Sequence, residues 1–256
     1  MLDFLNSGFD NNQWLVLSFC ALITGISKTG LPGIGILAVP LLAMFFPAKA
    51  STGLLLPMLA FADIFAVAYY RRHAQWGHII KLLPPALTGI IAGSVIIRYI
   101  DNDQLKPVIG IIVLAMLILN YWRIKKNGDS LHVPTHWSFA VSMGFIAGVT
   151  TQLANAAGPI MVIYLLAMQF DKNKFLGTGA WYFLILNSLK IPLFVLDGRI
   201  TLDSVKADLI MVPFIIIGAI AGVFILRKIP QKWFNMVVQI LALLAAIKLT
   251  ASAFGL

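Results

Sequence analysis

Ten apolar runs, five on either side of one polar linker, constrain this chain more than any other feature. The first five are Trp14–Ser27, Ile34–Phe46, Ser51–Tyr70, Ile79–Ile100 and Val108–Trp122. The second five are Trp137–Thr150, Ile160–Phe170, Phe175–Leu196, Leu202–Leu226 and Trp233–Leu256. Between them lies RIKKNGDSLHVPTH, Arg123–His136. The chain is 60% hydrophobic and 11% charged, with a mean hydropathy of +0.91. A soluble domain is about 45–50% apolar and about 25% charged. A soluble globular protein, a disordered tail and a nucleic-acid binder are therefore excluded. The pattern predicts an all-α polytopic membrane protein, since helices satisfy their own backbone groups in lipid.

The two sets share a length order, two short runs and then three long ones, and they share residues. LLAM at Leu41–Met44 recurs at Leu165–Met168, 124 positions on, and Gly53 meets Gly177 at the same offset. Further along the offset is 129, where Pro84, Gly89, Gly93 and Arg98 meet Pro213, Gly218, Gly222 and Arg227. The reading is an internal duplication: residues 1–122, a cytoplasmic linker over 123–136, and residues 137–256. A run of about 13–14 residues rises about 20 Å, short of the ~30 Å hydrocarbon core. Each short pair is thus either a re-entrant helical hairpin or two tilted crossings with polar extensions. Each repeat then crosses three or five times. Both counts are odd, so the expectation is two inverted five-segment repeats with both termini on one side.

Loop charge predicts which side. Eleven cations face away from the termini: Arg71, Arg72, Lys81, Arg123, Lys125, Lys126, Lys172, Lys174, Arg227, Lys228 and Lys232. Five (Lys49, Arg98, Lys106, Arg199 and Lys206) lie on the termini side, interleaved with Asp101, Asp103, Asp197, Asp203 and Asp208. Cytoplasmic loops carry the excess of Lys and Arg, so both termini are expected outside an inner membrane, periplasmic or extracellular. The net charge of +9 then marks topology and contact with anionic membrane lipid, not a nucleic-acid partner. The start of the chain lacks a basic n-region and a small-residue cleavage site, so the first run is expected to stay. Cys20, the single cysteine, reads as a small packed residue.

Gly89 with Gly93, Gly218 with Gly222 and Gly144 with Gly148 are GxxxG pairs, which allow close helix approach. Polar groups inside a membrane are costly and become functional candidates. Lys28, Asp63 and Lys190 lie deep by count, with Asn187 one turn before Lys190. Gly and Pro break both hairpins, at Ser27–Gly33 and at Thr150–Pro159. Such backbone is tolerated at depth only where it is buried or lines a cavity. Each returning arm starts with unpaired N–H groups at a positive dipole end. The two breaks are expected to meet near the midplane as an electropositive pocket for a small anion. Its candidates are Lys28, Thr29, Gly30, Gly33, Thr151, Gln152, Asn155 and Lys190. Lys28 is read either as an anion contact or as a structural partner of Asp63, and Lys190 either as a second anion contact or as a partner for a carboxylate. Asp63 and Asn187, equivalent at offset 124, are candidates for coupling to an ion, with a fixed counter-ion role for Asp63 as the other reading.

Enzyme-like readings are weaker. Ser27 and Lys28 are adjacent and point about 100° apart on a helix. His73 with His78, and His132 with His136, read as loop residues without metal-site company. No phosphate-binding G-x-x-x-x-G-K-[ST] motif occurs, so ATP is not expected as the direct energy source. No cofactor and no catalytic or metal residue is expected.

GISKTGLPGIGILAVPLLA (Gly25–Ala43), ASTGLLLPMLAFADIFAVAYYRR (Ala50–Arg72) and GIIAGSVI (Gly89–Ile96) resemble the TauE/SafE family of sulfite exporters and organosulfonate permeases. GVTTQLANAAGPIMVIYLL (Gly148–Leu166) and TGAWYFLILNSLKIP (Thr178–Pro192) look like the family's second repeat. The resemblance implies secondary transport of a small sulfur-containing anion, by export, with a proton or sodium ion as coupling partner. A passive anion channel of the same architecture and an intramembrane lipid-modifying enzyme are the alternatives. A homo-oligomer is compatible with the chain.

Overall fold

The structure is a computed structural model that describes residues 9–30, 33–126 and 137–224, and residues 240, 243–244, 246–247 and 250–251 near the C-terminus. The linker from residue 127 on, Leu31 and Pro32 of the first break, and most of the tenth run lie outside the described residues. The described residues are helical throughout their long segments. Helix α1 is Asn11–Thr29, α2 Ala38–Phe45, α3 Ala48–Tyr70, α4 Trp76–Tyr99 and α5 Asn102–Lys126. Then come α6 Trp137–Ala154, α7 Gly158–Ala167, α8 Lys172–Leu196 and α9 Leu202–Phe224.

Five of these helices, covering Ala48–His73, Trp76–Tyr99, Asn102–Leu119, Asn173–Leu196 and Leu202–Phe224, are long and apolar enough to cross a membrane. They coincide with five of the six runs expected to be long. The short runs differ from their expected extents. Helix α1 has 19 residues, about 28 Å at 1.5 Å per residue, because polar residues extend it at both ends. A capping box starts it early: Gln13 N–H donates to Asp10 Oδ1 (2.7 Å), and Asp10 N–H donates to Gln13 Oε1 (3.0 Å). The return arm is shorter. Gly33, at φ 103°, leads into a single 3-10 turn at Ile34–Leu37 and then the eight residues of α2. The hairpin comes back to where it began, since Gln13 Nε2 donates to Phe45 O (3.1 Å).

Glycine sets the helix pairing. Helix α1 packs along α9, and α4 along α6. A Cβ at Gly25 would meet Ile215 O, and one at Gly218 would meet Leu22 O. A Cβ at Gly148 would meet Ala86 O, and one at Gly89 would meet Phe145 O. All four glycines sit at backbone-to-backbone contacts, where only a hydrogen fits, and Gly89, Gly148 and Gly218 are predicted GxxxG positions. Helix α3 packs against α8, the contact that frames the centre.

The loops group at two ends. At one end Lys49 N–H donates to Asn102 Oδ1 (2.9 Å), and the Arg199 backbone abuts Gly53. At the other, Trp181 Nε1 donates to Arg71 O (3.3 Å), and Gln75 N–H donates to Thr178 Oγ1 (3.0 Å). These are called below the Arg199 end and the Arg71 end.

Candidate functional site: two helix breaks on one cavity

The residues flanking both breaks line a single cavity of about 840 Å³, including its open mouth. The first break contributes Ser27, Lys28, Gly33 and Gly35; the second contributes Thr151, Asn155, Gly158 and Pro159. Helix α3 adds Leu55, Leu59 and Asp63, and α8 adds residues from Phe175 to Asn187. The lining therefore runs from Leu55, near the Arg199 end of α3, to the first turn of α8 at the Arg71 end.

At the first break α1 ends at Thr29. Gly35 N–H donates to Ser27 Oγ (3.0 Å), which ties the returning arm to α1. Lys28 Nζ lies 2.7 Å from Asp63 Oδ1 and 4.2 Å from the centroid of the Phe183 ring. Asn187 Nδ2 donates to Asp63 Oδ2 (2.7 Å). The Asp63 side chain is 0% exposed, whereas that of Lys28 is 13% exposed, so the lysine is the member of the pair within a solute's reach. Asn187 Oδ1 is buried without a hydrogen-bond partner among the described residues.

At the second break Asn155 takes a left-handed conformation (φ 53°) that ends α6, a role an asparagine fills at modest cost. Its Nδ2 donates to Thr52 O (2.9 Å). Lys190 Nζ donates to Asn155 Oδ1 (2.7 Å), Thr151 Oγ1 (2.7 Å) and Thr151 O (3.1 Å). Arg199 Nη1 donates to Gln152 O (2.9 Å), while Nη2 meets Asp197 Oδ2 (2.9 Å). The guanidinium carbon lies 3.4 Å from the centroid of the Phe194 ring.

The expected residues thus divide. Lys28, Gly33, Thr151, Asn155, Asp63 and Asn187 border the cavity. The others turn away from it. Thr29 Oγ1 donates to Ala219 O (2.7 Å), a Cβ on Gly30 would meet Gly222 O, and Gln152 Nε2 donates to Ser94 Oγ (2.8 Å). Lys190 is fully buried behind Thr151 and Asn155, off the lining. The breaks also sit at different heights. Lys28 reaches α3 at Asp63, and Asn155 reaches it at Thr52, 11 residues or about 16 Å away. Both face one cavity but do not meet at one level, because α1 and α6 each run well past the 13–14 residues expected of them.

Two buried charges escaped the sequence reading. Arg199, counted there as a loop cation, is 2% exposed. Asp208, counted as a loop anion, is 2% exposed on the second turn of α9, with neither carboxyl oxygen hydrogen-bonded among the described residues. The spacing of Ser204, Asp208, Met211, Ile215, Gly218 and Gly222 marks one helix face and could have placed Asp208 inside. Nothing comparable marks Arg199, which enters through the turn at Gly198 (φ 69°). Among the described residues no three His, Cys, Asp or Glu side chains group as metal ligands.

Five apolar spans and a mostly apolar cavity that carries Lys28, Asp63, Asn155 and Asn187 on its wall describe a polytopic membrane protein. Residues 17–249 match the model of the family described as Sulfite exporter TauE/SafE. The match covers most of the 256 residues, and the chain belongs to that family of membrane transporters. No curated protein and no solved structure matches.

Proposed function

We propose that the chain exports a small sulfur-containing anion, sulfite or an organosulfonate, across the inner membrane, coupled to a proton or sodium ion. The observation that carries this reading is the cavity shared by the two breaks, with Lys28 on its wall and the start of α7 at Gly158–Pro159 opposite. The first N–H groups of a helix have no intrahelical acceptor and sit at the positive dipole end. A sulfonate offers three acceptor oxygens and keeps its charge across physiological pH. Lys28 can take it at the first break, and Thr151 or Asn155, at the second break on the same cavity, can take it in turn.

Coupling follows from the ion pair. Lys28 and Asp63 neutralise each other. An anion that takes Lys28 releases Asp63, a carboxylate that is 0% exposed, and a bare buried charge is untenable. Asp63 then takes a proton, or holds a sodium ion with Asn187 Oδ1. Anion and cation are bound together and move the same way, outward when the anion's gradient exceeds the cation's.

The chain is read as two inverted repeats. Helices α1 and α9 pair as α4 and α6 do, each joining a hairpin arm of one half to the fourth segment of the other. Asp63 and Asn187, equivalent at offset 124, hydrogen-bond each other, as two residues beside a pseudo-twofold axis would. The linker is assigned to the cytoplasm. In a Cys20→Ala background, Ser130→Cys should resist an impermeant thiol reagent in intact cells; ready labelling would reverse the orientation.

The functional test uses proteoliposomes. The purified chain should concentrate labelled sulfite or sulfoacetate when a proton or sodium gradient points the same way. Flux that neither gradient can drive uphill would make the protein a passive channel.

A further inference from the structure

Three cations, the partly exposed Lys28 and the buried Lys190 and Arg199, sit along the path from the cavity to the Arg199 end, and they are balanced unequally. Lys28 has Asp63, and Arg199 has Asp197. Lys190 has no carboxylate within ion-pair distance among the described residues. Its ammonium is held by neutral oxygens only, those of Thr151 and Asn155. A fully buried cation with neutral partners is costly, and its best remaining compensation here is a helix end. Thr151 O and Gln152 O belong to the last turn of α6, where the dipole is negative. Lys190 takes the first carbonyl and Arg199 the second.

The same contacts close the cavity. Its lining stops at Leu55, Thr151 and Asn155, and beyond them Asn155 bonds to Thr52 O, next to the guanidinium of Arg199. The two cations thus bolt the end of α6 across the route to the Arg199 end.

We propose that Lys190 and Arg199 form a second anion station that doubles as the exit gate, opened only when a bound anion replaces the α6 carbonyls as their partner. The inference rests on the transporter reading and deepens it. If α6 withdrew from an empty site, Lys190 would lose its acceptors while still enclosed. A sulfonate or sulfite moving off Lys28 supplies three oxygens in their place. Cargo therefore removes the obstacle to opening, and an empty carrier stays shut on that side. Lys28 receives the anion, and Lys190 with Arg199 releases it.

Access to Leu55, at the deep end of the lining, tests this. Leu55→Cys in a Cys20→Ala background is placed in proteoliposomes sorted to expose the Arg199 end. An impermeant thiol reagent should label it slowly without anion and about tenfold faster with saturating sulfoacetate. Adding Lys190→Met should make labelling fast in both conditions, because no enclosed charge then needs a partner. Lys190→Arg, which keeps the charge, should preserve the dependence on sulfoacetate and shows that the position tolerates change. Slow labelling in Lys190→Met overturns the gate, and so does Lys190→Arg behaving like Lys190→Met. If the parent chain binds neither sulfoacetate nor sulfite, the substrate assignment fails separately. The gate is then judged by the Lys190→Met rate alone.

Discussion

At the first helix break the hairpin itself brings the cation, Lys28, and α3 answers with a carboxylate. At the second break the hairpin brings only neutral oxygens, and the cations come from α8 and the turn after it. Asp63 and Asn187 show the difference in one pair, an acid in the first half and its amide in the second. On the proposed reading, a pseudo-symmetric scaffold with equal charges at both ends would hold an anion equally well at each. On the same reading, unequal charges give it a direction: a neutralised pair that an anion must open at one level, and at the other a lysine with neutral partners, one turn along α8 from Asn187.

Removing each lysine in turn breaks this comparison most sharply. Lys28→Met leaves Asp63 buried without its counter-charge. Deleting one partner of a buried ion pair costs about 3–5 kcal/mol, so the melting temperature in detergent should fall steeply. Lys28→Met with Asp63→Asn removes both charges and should recover most of that loss. Lys190→Met strands no carboxylate, and its cost should stay within the about 1–3 kcal/mol of unpaired acceptors. Equal losses for the two single variants would mean that Lys28 and Asp63 are not a mutually dependent pair. In folded Lys28→Met, anion affinity by calorimetry should drop roughly 10- to 150-fold. That follows from an ion–hydrogen-bond pair of about 1.5–3 kcal/mol in a desolvated pocket. Wild-type affinity there would take Lys28 out of the site.

The glycine contacts test whether the halves are mechanically alike even where their charges differ. Gly25→Ala drives a methyl into the α9 backbone at Ile215, and Gly148→Ala drives one into the α4 backbone at Ala86. Overpacking costs about 1–3 kcal/mol, and the two variants should lose similar amounts in thermal unfolding. A loss confined to one of them would argue against equivalent helix pairings.

Asp63→Asn sharpens the charge comparison by making the first half resemble the second. Lys28 then has no carboxylate competing for it, so the anion should bind more tightly, by about tenfold, or about 1.4 kcal/mol. The imposed cation gradient should at the same time lose its effect on uptake. Weaker binding in Asp63→Asn would show that the carboxylate supports the anion site rather than competing with it.

Much of this could be read from residue order, and what could not has a physical cause. The five long spans follow from unbroken apolar length, which hydropathy measures directly. The glycine contacts follow from i, i+4 spacing, which a helix preserves. Asp63 and Asn187 stood out because a polar residue within an apolar run has few innocent explanations, and Lys28 because it sits in a Gly/Pro break between two such runs. Arg199 did not stand out, because it follows Asp197 and Gly198 just where a solvated turn is expected. Its burial depends on Gly53 letting the Arg199 backbone close in on α3, a contact between residues 146 apart. Likewise, nothing local in the sequence tells that Thr29 and Gly30 turn toward α9. Their direction is set by Ala219 and Gly222, on the far half of the chain.

The smallest expected effect concerns how each hairpin's incoming helix is finished. The end of α6 is held by two charged donors, Lys190 and Arg199. At the end of α1, the Tyr70 hydroxyl donates to Thr29 O (2.9 Å). A neutral hydrogen bond of this kind is worth about 0.5–1.5 kcal/mol, and bonds to charged groups about 1.5–3 kcal/mol. Tyr70→Phe keeps the ring packed and removes only the donor, so it should lower thermal stability slightly. Lys28 still reaches Asp63 in that variant, so anion affinity should change by less than about twofold. Arg199→Gln should cost more stability than Tyr70→Phe and should also loosen the Arg199 end toward thiol reagents. If Tyr70→Phe instead opened the cavity from the Arg71 end and sped labelling there, the first break would have its own latch. The inequality between the two breaks would then be one of degree: a weak neutral lock at the Arg71 end and a strong charged one at the Arg199 end.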